Sequence, residues 1–199
     1  MKAPGILFIV VLVIALQLSA CGGGGGSTSI PTPPQTSNIR HVSADLVQFV
    51  ESDLSYVQRF SEGYVIPTAS QLGQFDDLIV ALVSQDIGTV ETHAPALNFE
   101  LIRFTDTGAA GNELYCLLEV VSRGQGFYCA DFDASATHHV SVPHPLYDSG
   151  TNAESAYVMR ATGARFLSVS TTHRCANAAA SSCPRPSCVR GDSTAAGPA

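Results

Sequence analysis

Positive charge is scarce in this chain. Its 199 residues include a single lysine, Lys2, and the formal net charge is −7. The arginines are scattered. No basic stripe exists to neutralise a phosphate backbone, which excludes nucleic acid as a partner. Charged residues are few, at 14% against 45% apolar, and that balance is too apolar for a disordered protein. The longest apolar run, residues 6–16, ends at Gln17 and is short for a membrane-spanning helix. Several motifs are also missing. No Gly-x-Ser-x-Gly elbow occurs, so Ser141, Ser149, Ser168 and Ser170 lack the usual setting of a serine nucleophile. The glycine run 22–26 lacks the Lys-Ser/Thr and the following helix of a phosphate loop. There is no calcium loop and no internal repeat, and Asp131 and Asp133 read as a turn at a strand end.

What is present begins with an export signal. Lys2 is a minimal positive region, residues 6–16 form the apolar stretch, and Leu18-Ser19-Ala20-Cys21 follows. This tetrad resembles the lipobox of bacterial lipoproteins. The resemblance covers only the first 21 residues. It implies that residues 1–20 are a signal peptide and that Cys21, acylated through its thiol, is the first mature residue. The partner implied is a membrane, reached through lipid on Cys21 outside the cytoplasm. Buried lipid carbons supply about 0.8 kcal/mol per CH₂, so several chains hold firmly. Residues 21–40 carry five successive glycines, then Ser, Thr and Pro, which fits a tether. No Asp follows Cys21, and inner and outer membranes both stay open.

Export permits disulfides. Cys116 and Cys129 fall on neighbouring expected strands, where a bridge between them is expected. Cys175 and Cys183 can close a short Ala/Ser-rich loop, leaving Cys188 as the odd one. A zinc knot from Cys175, Cys183 and Cys188 is the alternative.

The folded part, residues 41–190 with a small polar tail at 191–199, reads as one α+β or α/β domain. Ser43 can cap a helix whose stripe is Leu46, Val50, Leu54, Val57 and Phe60. Ser70 can cap a second, with Leu72, Phe75, Ile79 and Leu82 facing inward. A helical pair packed on a mixed sheet is the expectation. Strands are expected over 98–104, 113–121 and 127–132 as a meander. A βαβ unit ends the domain: strand 138–142, a helix from a Thr151–Glu154 capping box to Gly163, and a parallel strand 165–170.

In such a unit, both strand-end loops open on the same edge of the sheet. That brings together His144, Asp148, His173, Arg174 and Thr172. Two imidazoles and a carboxylate suit a divalent metal such as Zn with open positions, which activates water. Arg174 would grip an anion through its planar fork, and Thr172 would donate to an oxyanion or orient His173. Pro143 and Pro145 stiffen the backbone around His144. Structural explanations serve as well: Pro-His-Pro as a rigid turn, Asp148 in an Asx turn, and Arg174 paired with Asp148. His138, His139, His41 and the Glu91-Thr92-His93 set are weaker candidates. Two functions of different class follow. One is a metal-dependent hydrolase of a small anionic ester or amide. The other is a non-catalytic lipoprotein that binds a cell-wall or envelope component, with a truncated enzyme relative as a variant of it.

Overall fold

The computed structural model describes residues 39–177. The signal, residues 21–38 of the expected tether, the tail, Cys183 and Cys188 lie outside the described residues; Arg40, expected as the last tether residue, opens the first strand instead. The chain runs β1 (Arg40–Ala44), α1 (Leu46–Gln48) continuing as a π-turn (Phe49–Asp53), α2 (Ala69–Val83), α3 (Ile87–His93), β2 (Phe99–Asp106), β3 (Asn112–Glu119), β4 (Phe127–Ala130), β5 (His139–Val142), α4 (Thr151–Thr162) and β6 (Phe166–Val169). The strands form one mixed sheet in the order β1-β2-β3-β4-β6-β5. Both ends of the sheet are parallel pairs, β1 with β2 and β5 with β6, and the middle is antiparallel. This is the expected mixed α+β architecture with helices packed on a sheet.

Strand alternation sends side chains to two cores. One face carries Ile102, Phe104, Leu114, Cys116, Phe127, Cys129, Leu167 and Val169, covered by α1, its π-turn and α4. The opposite face carries Phe99, Leu101, Leu117 and Ala130, covered by α2 and α3. Each fully buried Leu or Phe contributes about 1.5–3 kcal/mol. The Cys116–Cys129 bridge forms on directly opposed residues of β3 and β4. Cys175 is also disulfide-bonded, so it is not available as the thiolate a zinc knot needs.

The first helix is much shorter than its stripe suggests. Asp45 caps it, accepting from the backbone N–H groups of Val47 and Gln48. Ser43 lies in β1 instead. By Leu54 the backbone is already extended. Leu54 and Val57 are buried as the stripe predicts, but Val57 pairs with strand-end residues: its N–H donates to Thr171 O, and His173 N–H donates to Val57 O. Tertiary pairing has overridden helical spacing. Farther along, Phe60 N–H donates to Cys175 O and Glu62 N–H to Ala176 O. The segment after the π-turn therefore runs beside residues 171–177 and fixes the end of β6.

The second helix starts one residue pair earlier than expected. Thr68 and Gln71 form the capping box, and Leu78, Ala81 and Leu82 are the buried side chains. Leu72 is 51% exposed, because the first turns of α2 overhang the sheet. The segment around Glu91-Thr92-His93 is helical, with Asp86 as its cap.

The βαβ unit is as expected: β5 and β6 pair parallel, with Val140 opposite Leu167 and Val142 opposite Val169. Gly163 ends α4 at φ 61°, a left-handed turn that costs glycine little. The start of α4 differs. Gly150 is the cap, and Thr151 Oγ1 donates back to Asp148 O. Asn152, buried in the first turn, donates to Val50 O and ties α4 to the π-turn.

Candidate functional site

The loop after β5 is a tight turn. Both Tyr147 and Asp148 N–H groups donate to the His144 carbonyl oxygen. His144 and Asp148 are exposed and share a shallow depression with Thr151, Glu154 and Ser155, about 250 Å³ in volume. His173 and Arg174 do not line it. They gather around Tyr147 instead. The Arg174 guanidinium lies 3.1 Å over the Tyr147 ring centre, and the His173 ring meets its edge at 6.0 Å. Such stacking of Arg on an aromatic face is favourable.

The electrostatics around His173 do not favour a metal ion. Burial first, then the positive charges of Arg59, Arg174 and His144, hold its proton affinity below the usual imidazole range. Its Nδ1 accepts the Cys175 N–H at 3.0 Å, which places the ring proton on Nε2 in the neutral form. Two guanidiniums near one imidazole repel a divalent cation. Among the described residues, no group of three or more His, Cys, Asp or Glu side chains is placed to hold a metal ion.

This arrangement makes stability pH-dependent in one direction. A histidine whose folded pKa is depressed binds fewer protons folded than unfolded. Its contribution is complete above the unfolded value of about 6.5 and is lost as the pH falls from there through the lower folded value. The melting temperature is therefore expected to drop as the pH falls below about 6.5, and to drop less in His173→Asn, whose carbonyl can still accept from Cys175. Equal drops in both proteins would show that His173 does not carry the effect.

The other weak candidates separate. His139 lies on β5, where its Nε2 is 2.9 Å from Ser168 Oγ. His138 is exposed, and its carbonyl accepts from Arg165 and Phe166. His93 ends α3, which packs through Val90 beside Phe99 and Leu101 of β2, four strands from β5. His41 is exposed on the β1 edge.

Thr172 belongs to a different feature. The sheet face under α2 changes character along one register row. Leu101, Leu117 and Tyr128 of β2, β3 and β4 lead to Ser168 of β6 and Ser141 of β5. The apolar members lie beneath α2 and α3; the serines lie beyond them. Where the helical cover stops, a cleft opens with a volume of about 360 Å³. Ser141, Ser168, Ser170 and Thr172 form one wall, and Leu72, Phe75, Pro67 and Tyr64 form the other. Ser168 Oγ donates to Ser141 Oγ at 3.0 Å. Tyr128 is anchored between Phe75 and Phe99, with ring centres 5.0 and 6.1 Å away, and its hydroxyl donates to Gln125 O. Burial pushes the Tyr128 phenol up to about 12.

Gly124 shapes the end of the cleft. It sits at φ 79°, and a Cβ there would lie 2.7 Å from Thr172 Cβ and 3.0 Å from the Tyr64 ring. Only glycine lets these two side chains close around it. The serine row is visible in the sequence as Leu167-Ser168-Val169-Ser170 and Val140-Ser141-Val142. One face of each strand is apolar and the other hydroxylic. That alternation was the signal for the cleft, and a search for nucleophile motifs passes over it.

No family model matches the chain, and no curated protein or solved structure does either.

Proposed function

We propose that the chain is a lipid-anchored, non-catalytic envelope protein that binds an envelope component in the cleft between α2 and the β6–β5 serine wall. The observation that carries this reading is the cleft itself. Its size falls within the range of small-ligand pockets, about 300–1,000 Å³, and one polar wall faces one apolar wall. The chemistry expected of an enzyme is less well supported. His144 with Asp148 and His173 with Arg174 sit around different features, and the second pair is crowded by positive charge. Among the described residues, no helix is long and apolar enough to cross a membrane. The Leu18-Ser19-Ala20-Cys21 tetrad supports attachment through Cys21 instead.

The anchor is tested by Cys21→Ala. Radiolabelled palmitate is expected to enter the parent protein and not the variant, and detergent-phase partition should shift the variant into the aqueous phase. Label retained at the parent level would rule out Cys21 as the acylated residue. Elemental analysis of the purified protein checks the hydrolase reading independently, since a stoichiometric metal lost in His144→Ala would restore it.

A further inference from the structure

The lining of the cleft narrows the chemistry of what it holds. None of the described residues lining it is Asp, Glu, Lys, Arg or His; the nearest such group on the serine side is His139, whose Nε2 lies 2.9 Å from Ser168 Oγ. A charged ligand would give up its water there with no opposite charge to meet it, which is costly. The chain's net charge of −7 further disfavours anions at close approach. The ligand must still be polar on one side. Ser141, Ser168 and Ser170 present hydroxyls, and each hydroxyl both donates and accepts. Ser141 and Ser168 lie on adjacent strands about 4.8 Å apart, and Ser170 follows about 7 Å farther along the chain, just past the end of β6. That spread matches the width of one small ring bearing hydroxyls along an edge. Across from them, Phe75, Tyr64, Pro67 and Leu72 offer carbon surface, and Leu72 is left half-exposed at the rim. A molecule with an apolar ring face, a hydroxyl-bearing edge and no charge fills both walls.

We infer that the cleft binds a neutral pyranose ring of an envelope glycan, with its C–H face on the Phe75–Leu72 wall and its hydroxyls on the Ser141–Ser168–Ser170 strip. The inference deepens the proposed function and rests on the cleft being the binding site. Ser168 is central by position, opposite Tyr128 in the register and beside Ser141; its proton is committed to Ser141 and His139 Nε2 touches its oxygen, so its remaining lone pair accepts from a ligand hydroxyl.

Calorimetric titration of the full chain, held in a detergent without a sugar headgroup, tests it. The probes are chitotriose and cellotriose as neutral sugars, trigalacturonate as a charged one, and a blocked tri-alanine amide as an uncharged peptide. Saturable binding of at least one neutral trisaccharide is expected, at least tenfold tighter than trigalacturonate. Ser168→Val should weaken it at least tenfold. Leu72→Ala, at an exposed position where misfolding is not an issue, should weaken it at least threefold, and His144→Ala should leave it unchanged. No binding by either neutral sugar, or equal binding of trigalacturonate, would overturn the sugar assignment. Binding of the peptide alone, lost in Ser168→Val, would overturn the sugar while preserving the cleft. Sugar binding untouched by both cleft variants would overturn both.

Discussion

Asp106→Ala is expected to destabilise the fold by about 3 kcal/mol, toward the lower end of the range for breaking a buried ion pair. Asp106 is 2% exposed at the end of β2. One oxygen accepts from the Leu46 and Gly108 N–H groups, and the carboxylate holds Arg160 of α4 through Nε at 2.7 Å and Nη2 at 2.5 Å. The bridge fastens the start of α1 and the last turn of α4 to the same strand end. Without it, the Leu46 N–H loses its buried acceptor and Arg160 loses a two-point partner. Asp45 still faces Arg160 at 3.1 Å, which is why the loss stays near the lower end. The backbone grips this cluster closely. A Cβ on Gly108 would run into the Asp45 carboxylate and the Arg160 guanidinium, so Gly108→Ala should also destabilise. Denaturant unfolding measures both. A double change, Asp106→Asn with Arg160→Met, should cost less than Asp106→Ala, because the asparagine oxygen can still accept from the Leu46 N–H and the one charge that loses its partner, Asp45, is partly exposed. A midpoint unchanged in Asp106→Ala would mean that the cluster is ornamental.

Removing the β3–β4 bridge is the second large effect. Cys116 and Cys129 are separated by 13 residues and are 0% and 1% exposed, within the core that includes Phe104 and Phe127. Closing a loop of that size restricts the unfolded chain by about 3 kcal/mol on the entropic account. The double variant Cys116→Ala with Cys129→Ala should therefore unfold at clearly lower denaturant, with loss of sulfur packing added to the entropy term. Added reductant should act slowly on the native parent and quickly once it is unfolded, since both sulfurs are shielded. Equal stability of the double variant and the parent would show that the bridge contributes nothing beyond the ladder.

The legible parts of this fold are those where local and long-range preferences agree. In β5–α4–β6, the apolar alternation, Gly163 and the short connection all point to one parallel unit, and that unit forms. Cys116 and Cys129 face each other because β2, β3 and β4 form the expected antiparallel meander. The first helix fails because Leu54 and Val57 are buried for another reason: Val57 pairs with Thr171 and His173, contacts more than a hundred residues away. Strand β1 was hidden by its edge position, where His41 and Ser43 remain exposed and the pattern is too short to register. The α3 segment is masked by Pro95, the second residue of the short 3₁₀ turn that follows it.

The candidate site shows the same division. Topology predicts that the loops after β5 and β6 share an edge, and His144 is near enough to add its charge at His173. Topology does not say where side chains turn, and Tyr147 claims His173 and Arg174 for its own ring. The cleft is only half legible: the serine alternation marks one wall, and the other wall is hidden. Leu72 has the spacing of a core residue, and only the overhang of α2 past the sheet makes it a rim.

The most direct test of the central claim is amide chemical-shift mapping of the full chain on titration with a neutral trisaccharide. The account predicts saturable shifts confined to residues 64–75, 124–128, 141–143 and 168–172. Shifts that instead centre on His144, Asp148, His173 and Arg174, or no saturable shifts at all, would contradict it.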